Sequence, residues 1–121
     1  FSQARLSAQN GNSRDASLAY RVLADDVSID SLYRDLAVIL GAYEDLNFSG
    51  ADFAELKERL QPLIAKTNSW RFSAQEITGL LLKRSGEKAK ARKMFSALAV
   101  DRNTPQGVRA RAQEMLSILG K

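Results

Sequence analysis

Two acidic pairs, Asp25-Asp26 and Glu44-Asp45, are the residues of this chain most capable of general acid and base chemistry. Such chemistry needs two carboxyls that converge on one substrate with different protonation states. Adjacent residues of a helix point about 100° apart, so neither pair converges, and the plain reading of both is a solvated helix end. Histidine and cysteine are absent. That removes the commonest general base, the thiolate nucleophile and the usual zinc ligands. Gly86-Glu87-Lys88 lacks both the earlier glycine and the following hydroxyl residue of a phosphate loop, and so reads as an inter-helix turn. The expectation is a chain that is not an enzyme, with no catalytic residue, no metal site and no cofactor.

Binding is the remaining chemistry. Lys83, Arg84, Lys88, Lys90, Arg92 and Lys93 place six basic residues within eleven positions, relieved only by Glu87. Residues 1–60 hold six basic against ten acidic residues, a balance of −4, whereas residues 61–121 hold twelve against four, a balance of +8. A basic helix turn of this kind attracts nucleic acid, anionic lipid headgroups or an acidic partner segment, or is simply a solvated outer face. Nucleic acid is disfavoured, because no aromatic is interleaved for base stacking. The single tryptophan, Trp70, is either a binding anchor or a packing residue. Asn47-Phe48-Ser49 fits the glycosylation pattern, which has meaning only in a eukaryotic secretory protein.

The elements that must position these side chains are helices. With 45% hydrophobic and 26% charged residues and two prolines, the composition is that of a globular domain of ordinary size, and argues against disorder. No apolar run approaches the ~20 residues that span a bilayer. Apolar residues recur at three- and four-residue spacing in seven segments, and no segment alternates like a strand. The expected division is helix pairs over roughly 1–26, 31–66 and 69–101 with a closing helix over 105–119, forming one domain over residues 1–121. Asn10-Gly11-Asn12 ends the first helix, Phe1 to Gln9. Asp30 or Ser31 caps the third, Pro62 kinks or ends the fourth, Ser69 caps the fifth behind an inner face of Trp70, Ala74, Ile77 and Leu81, and Thr104-Pro105 opens the seventh. The first helix lacks a neighbour on one side, which leaves apolar surface that could drive self-association. Because the chain starts at Phe1 already inside a helical run, an upstream segment is expected to have been removed.

The pattern repeats internally. Gly11-x4-Ala16-x3-Tyr20-x2-Leu23-Ala24-x-Asp26 and Gly86-x4-Ala91-x3-Phe95-x2-Leu98-Ala99-x-Asp101 match at six positions with an offset of 75. Tyr33-Arg34-x2-Ala37, Trp70-Arg71-x2-Ala74 and Val108-Arg109-x2-Ala112 follow at offsets of 37 and 38. The unit is a helix pair of about 37 residues. Glycine makes the turn, alanine lets two helices approach, and the aromatic fills the space beside it.

Gly86-x4-Ala91-x3-Phe95, with Gly79 seven residues earlier, resembles the tetratricopeptide repeat. The middle repeat departs from it, with Leu56 and Leu60 where alanine and the aromatic belong. The resemblance implies an all-α, tetratricopeptide-like α-solenoid of about three helix-turn-helix repeats and seven helices. Leu32-Tyr33-Arg34-Asp35-Leu36-Ala37, Trp70-Arg71-x2-Ala74 and Pro105-x-Gly107-Val108-Arg109-Ala110-Arg111-Ala112 together resemble one bacterial family across nearly the whole chain. That family comprises the membrane-anchored proteins related to the ancillary subunit of the SecYEG translocon in Gram-negative bacteria. It implies a periplasmic domain held at the inner membrane by a segment outside this sequence, acting as a chaperone-like helper that binds translocon subunits or secreted proteins. In such repeats the concave groove comes from the first helix of each pair. Arg34, Arg71 and Arg109 stand either to line that groove or to cap and bridge neighbouring repeats. The alternative function is an anionic-surface binder using residues 83–93.

Overall fold

Helix boundaries in this chain follow its capping residues, and in two places the cap differs from the one the sequence suggests. The computed structural model describes residues 13–47 and 51–120. Among these residues the chain is all-α, with six α-helices and no strand: α1 Ser13–Ala24, α2 Ser31–Asp45, α3 Phe53–Leu60, α4 Arg71–Arg84, α5 Lys88–Val100 and α6 Gln106–Leu119. The helix expected over Phe1 to Gln9, and Gly11 with it, lies outside the described residues.

Asp30 caps α2 by accepting the Leu32 amide, and Asp52 caps α3 by accepting the Glu55 amide at 3.1 Å. Each pairs one of the donors a helix start leaves open. Ser69 does not cap α4 as expected. Trp70 is the N-cap residue without a side-chain cap bond, and the Asn68 carboxamide oxygen accepts the Trp70 amide at 2.8 Å. Thr104 does not cap α6 either: Pro105 holds the N-cap position, Gln106 is the first helical residue, and the buried Thr104 side chain points inward. Pro62 acts as its missing N–H requires. α3 stops at Leu60 and the chain tightens into a 3-10 turn over Gln61–Ile64. At the end of α4, Gly86 takes φ +81, its amide bonds the Lys83 carbonyl, and the Glu87 amide bonds the Leu82 carbonyl at 2.9 Å. This is the paired 5→2 and 6→1 closure for which glycine is preferred.

The chain divides into two compact units, residues 1–63 and 64–121. In the first, α1 packs along α2 around buried Ala16, Tyr20 and Ala37, with Leu23 and Leu40 beside them. Gly41 brings the helices together: a methyl group there would lie 3.2 Å from the Tyr20 Cβ. On α2, Leu32 and Tyr33 are exposed, and Ala37, Ile39 and Ala42 are buried. In the second unit α5 lies between contacts with α4 and α6 around Ala91, Phe95, Leu98, Val108 and Ala112. Here Gly79 presses on the Phe95 ring, which a methyl group would meet at 2.7 Å. In each unit a glycine on one helix receives the aromatic of a neighbouring one, Gly41 following Tyr20 in the chain and Gly79 preceding Phe95.

Candidate partner-binding surfaces

The three recurring arginines are built into turns. Asp26 folds the α1–α2 turn by accepting the Ser28 amide at 2.9 Å, and Asp101 folds the α5–α6 turn by accepting the Asn103 amide at 2.9 Å. The Ile29 amide then bonds the Asp26 carbonyl at 3.1 Å, and the Thr104 amide bonds the Asp101 carbonyl at 3.2 Å. Arg34 reaches back from α2 to donate to the Ile29 carbonyl at 3.0 Å, while Arg109 reaches back from α6 to the Thr104 carbonyl at 3.4 Å and the Asp101 carbonyl at 2.8 Å. Apart from the Arg109 bond to Asp101, each of these bonds has a counterpart 75 residues away. Arg71, the first residue of α4, sits 3.6 Å from the Asp101 carboxylate and lies over the Phe72 ring at 4.0 Å. Of the two roles open to these side chains, capping and bridging accounts for the bonds they make. The Arg109 Nε and the Thr104 hydroxyl are buried without a protein partner.

Serine contacts hold the Asp26 carboxyl below its ordinary value: the Ser28 hydroxyl donates to it at 2.6 Å and the Ser28 amide adds to this, with a smaller contribution from the Arg34 charge. Hydrogen bonds to the ionised form favour that form.

Glu44-Asp45 differs from the solvated helix end expected of it. Asp45 is buried at 6% exposure, accepts the Ser17 hydroxyl and lies 3.7 Å from Arg21, which also pairs with Glu55. The hydrogen bond to Glu55, with the charges of Glu55, Asp45 and Asp25, raises Arg21 above its ordinary value against the opposing effect of burial. Arg59 adds a long pairing to Asp25 at 3.9 Å. The network joins α1, α2 and α3 and pairs its carboxylates with serine and arginine. Glu76 has the same character in the second unit: it is buried and receives Arg111 through two bonds of 2.6 and 3.1 Å. Neither network was foreseen. The only sequence signal was acids falling within apolar faces.

Most of the basic residues of positions 83–93 are exposed on the second unit. Lys88, Lys90 and Lys93 on α5 are exposed, as is Arg84, with Lys83 partly covered. Lys90 pairs with Glu87 at 3.2 Å, and Arg92 donates to the Leu119 carbonyl at 3.4 Å. Ala89, Lys90, Arg92, Lys93, Ser96 and Leu116 line an open groove of about 550 Å³. Trp70 is half-buried at its N-cap position. Of its repeat equivalents, Val108 is buried and Tyr33 is 51% exposed. Among the described residues no cluster of acidic side chains could hold a metal ion, and no helix is long and apolar enough to cross a membrane. No family model matches the chain, and neither a curated protein nor a solved structure does.

Proposed function

We propose that the chain is a tetratricopeptide-like protein-binding module, and in its sharper form the periplasmic domain of a membrane-anchored helper at the Sec translocon. One observation carries the first part. The buried alanine and aromatic, Ala16 with Tyr20 and Ala91 with Phe95, and the aspartate-folded, arginine-latched turn occur twice at an offset of 75, which is what a stacked helix-pair design requires of each unit. The translocon assignment rests on the residue pattern that resembles that family.

Because Arg34 and Arg71 are engaged in their own fold, partner contact is assigned to exposed positions. Photo-crosslinking probes at Tyr33, Lys90 and Ser96 of the protein in its native cells test the proposal. Capture of translocon subunits or secreted proteins is the expected result. Capture of cytosolic proteins or nucleic acid overturns the location and the family reading together.

The exposed lysines of α5 favour a second reading, an anionic-surface binder over residues 83–93. Phosphate contacts make such binding fall steeply with salt. Oligonucleotide or anionic-vesicle binding that is unchanged by salt removes this reading.

A further inference from the structure

The helices that carry the matched register, α1 and α5, present solvent faces of opposite character. Asp15, Leu18 and Val22 on α1 and Asp25 directly after it share one stripe, and all four are exposed, Leu18 at 52% and Val22 at 71%. The positions 75 residues later are Lys90, Lys93, Ala97 and Val100, also exposed, with Val100 at 78%. An acid has become a lysine at the first position and a leucine has become a lysine at the second. Beside the α5 stripe runs the open groove whose apolar parts are Ala89 and Leu116.

Single exposed apolar residues are ordinary on a protein surface. An apolar pair one turn apart between two acids, on the same molecule as an apolar groove edged by lysines, is a complementary set. We infer that the acidic, apolar face of α1 in one copy of this chain docks on the basic α5–α6 groove of a second copy. Charge favours this occupant, since residues 1–60 carry −4 and residues 61–121 carry +8, so the acidic part of one copy attracts the basic part of another. A polyanion would pair the lysines but leave Ala89, Ala97, Val100 and Leu116 in water, whereas Leu18 and Val22 cover them. The two faces differ, so the contact is heterologous and extends into open chains or closes a ring. The attraction between exposed charges is screened over about 8 Å at physiological ionic strength, so the association weakens as salt rises.

Sedimentation velocity of the chain over a range of concentrations and salt tests this directly. The expected result is a mass that rises with concentration at low salt and falls back to monomer at high salt. Two blocked variants then identify the faces. Val22→Glu spoils the α1 face and Lys93→Glu spoils the groove, both at exposed helix positions where circular dichroism checks that the fold is kept. Each is expected to remain monomeric alone, while their mixture forms a heterodimer, because one retains an intact groove and the other an intact α1 face. A wild-type chain that is monomeric at every concentration overturns the inference, as does a mixture that stays monomeric. Binding of a short oligonucleotide or of phosphatidylglycerol vesicles through Lys90 and Lys93 by a wild-type chain that never self-associates would assign the groove to an anion and overturn it equally.

Discussion

At Gly79 an added methyl group would lie 2.7 Å from the fully buried Phe95 ring, so Gly79→Ala is expected to destabilise by about 1–3 kcal/mol, the range for overpacked cores. The gain in helix propensity is smaller, at about 1 kcal/mol. A double-mutant cycle with Phe95→Leu, read by urea denaturation, should show a smaller loss than the two single changes summed. Asp26 makes a subtler claim. Its carboxyl is held below the ordinary value by Ser28, so its charge stabilises the fold above the unfolded value of about 3.9. That contribution is lost as pH falls through the lower folded value. An NMR titration should find Asp26 titrating below free aspartate, and in Ser28→Ala the value should move back up. The glycine was legible in the sequence only through its seven-residue spacing to Gly86, which belongs to the tetratricopeptide resemblance. The buried acids were not: Asp45 and Glu76 look like surface residues until Ser17, Arg21 and Arg111, distant in sequence, are brought to them. A partner 28 or 35 residues away leaves no local mark.

At the scale of elements, the turns and caps rank differently from their sequence signals. Arg109 makes two carbonyl bonds from a partly buried position and Arg34 one. Arg109→Ala is therefore expected to cost about 1–3 kcal/mol, with Arg34→Ala at the low end of that range, in urea denaturation. Faster amide exchange of Thr104 in Arg109→Ala would tie the loss to the turn. For caps, Asp30→Ala should lose about 0.5–2 kcal/mol, whereas Ser69→Ala should change thermal stability little, because Ser69 does not hold the N-cap position of α4. Six described helices fall where apolar spacing put them, since 3.6-residue periodicity is a strong signal over three or four turns. The starts of α4 and α6 each fell later than expected because several residues at each site were able to cap and only tertiary contacts choose among them.

On the scale of the whole molecule, charge separates along the chain with the cores. The boundary between the two compact units falls at residue 63, and no charged residue lies between 61 and 63, so the unit balances equal the −4 and +8 of the sequence halves. Reversing Lys88, Lys90 and Lys93 to glutamate takes six charges from the second balance, leaving +2, and takes the chain from +4 to −2. Static light scattering at low salt should then change from attraction between copies to repulsion, while the helical circular dichroism signal is retained.

The same division gives the chain two optical labels of its own. Tyr20, Tyr33 and Tyr43 all belong to residues 1–63, and the sole tryptophan, Trp70, belongs to residues 64–121. The tyrosine ring resonances in NMR therefore report on the first unit and tryptophan emission on the second. A denaturant series recorded with both probes follows each unit through its own transition, with no label introduced and no residue changed.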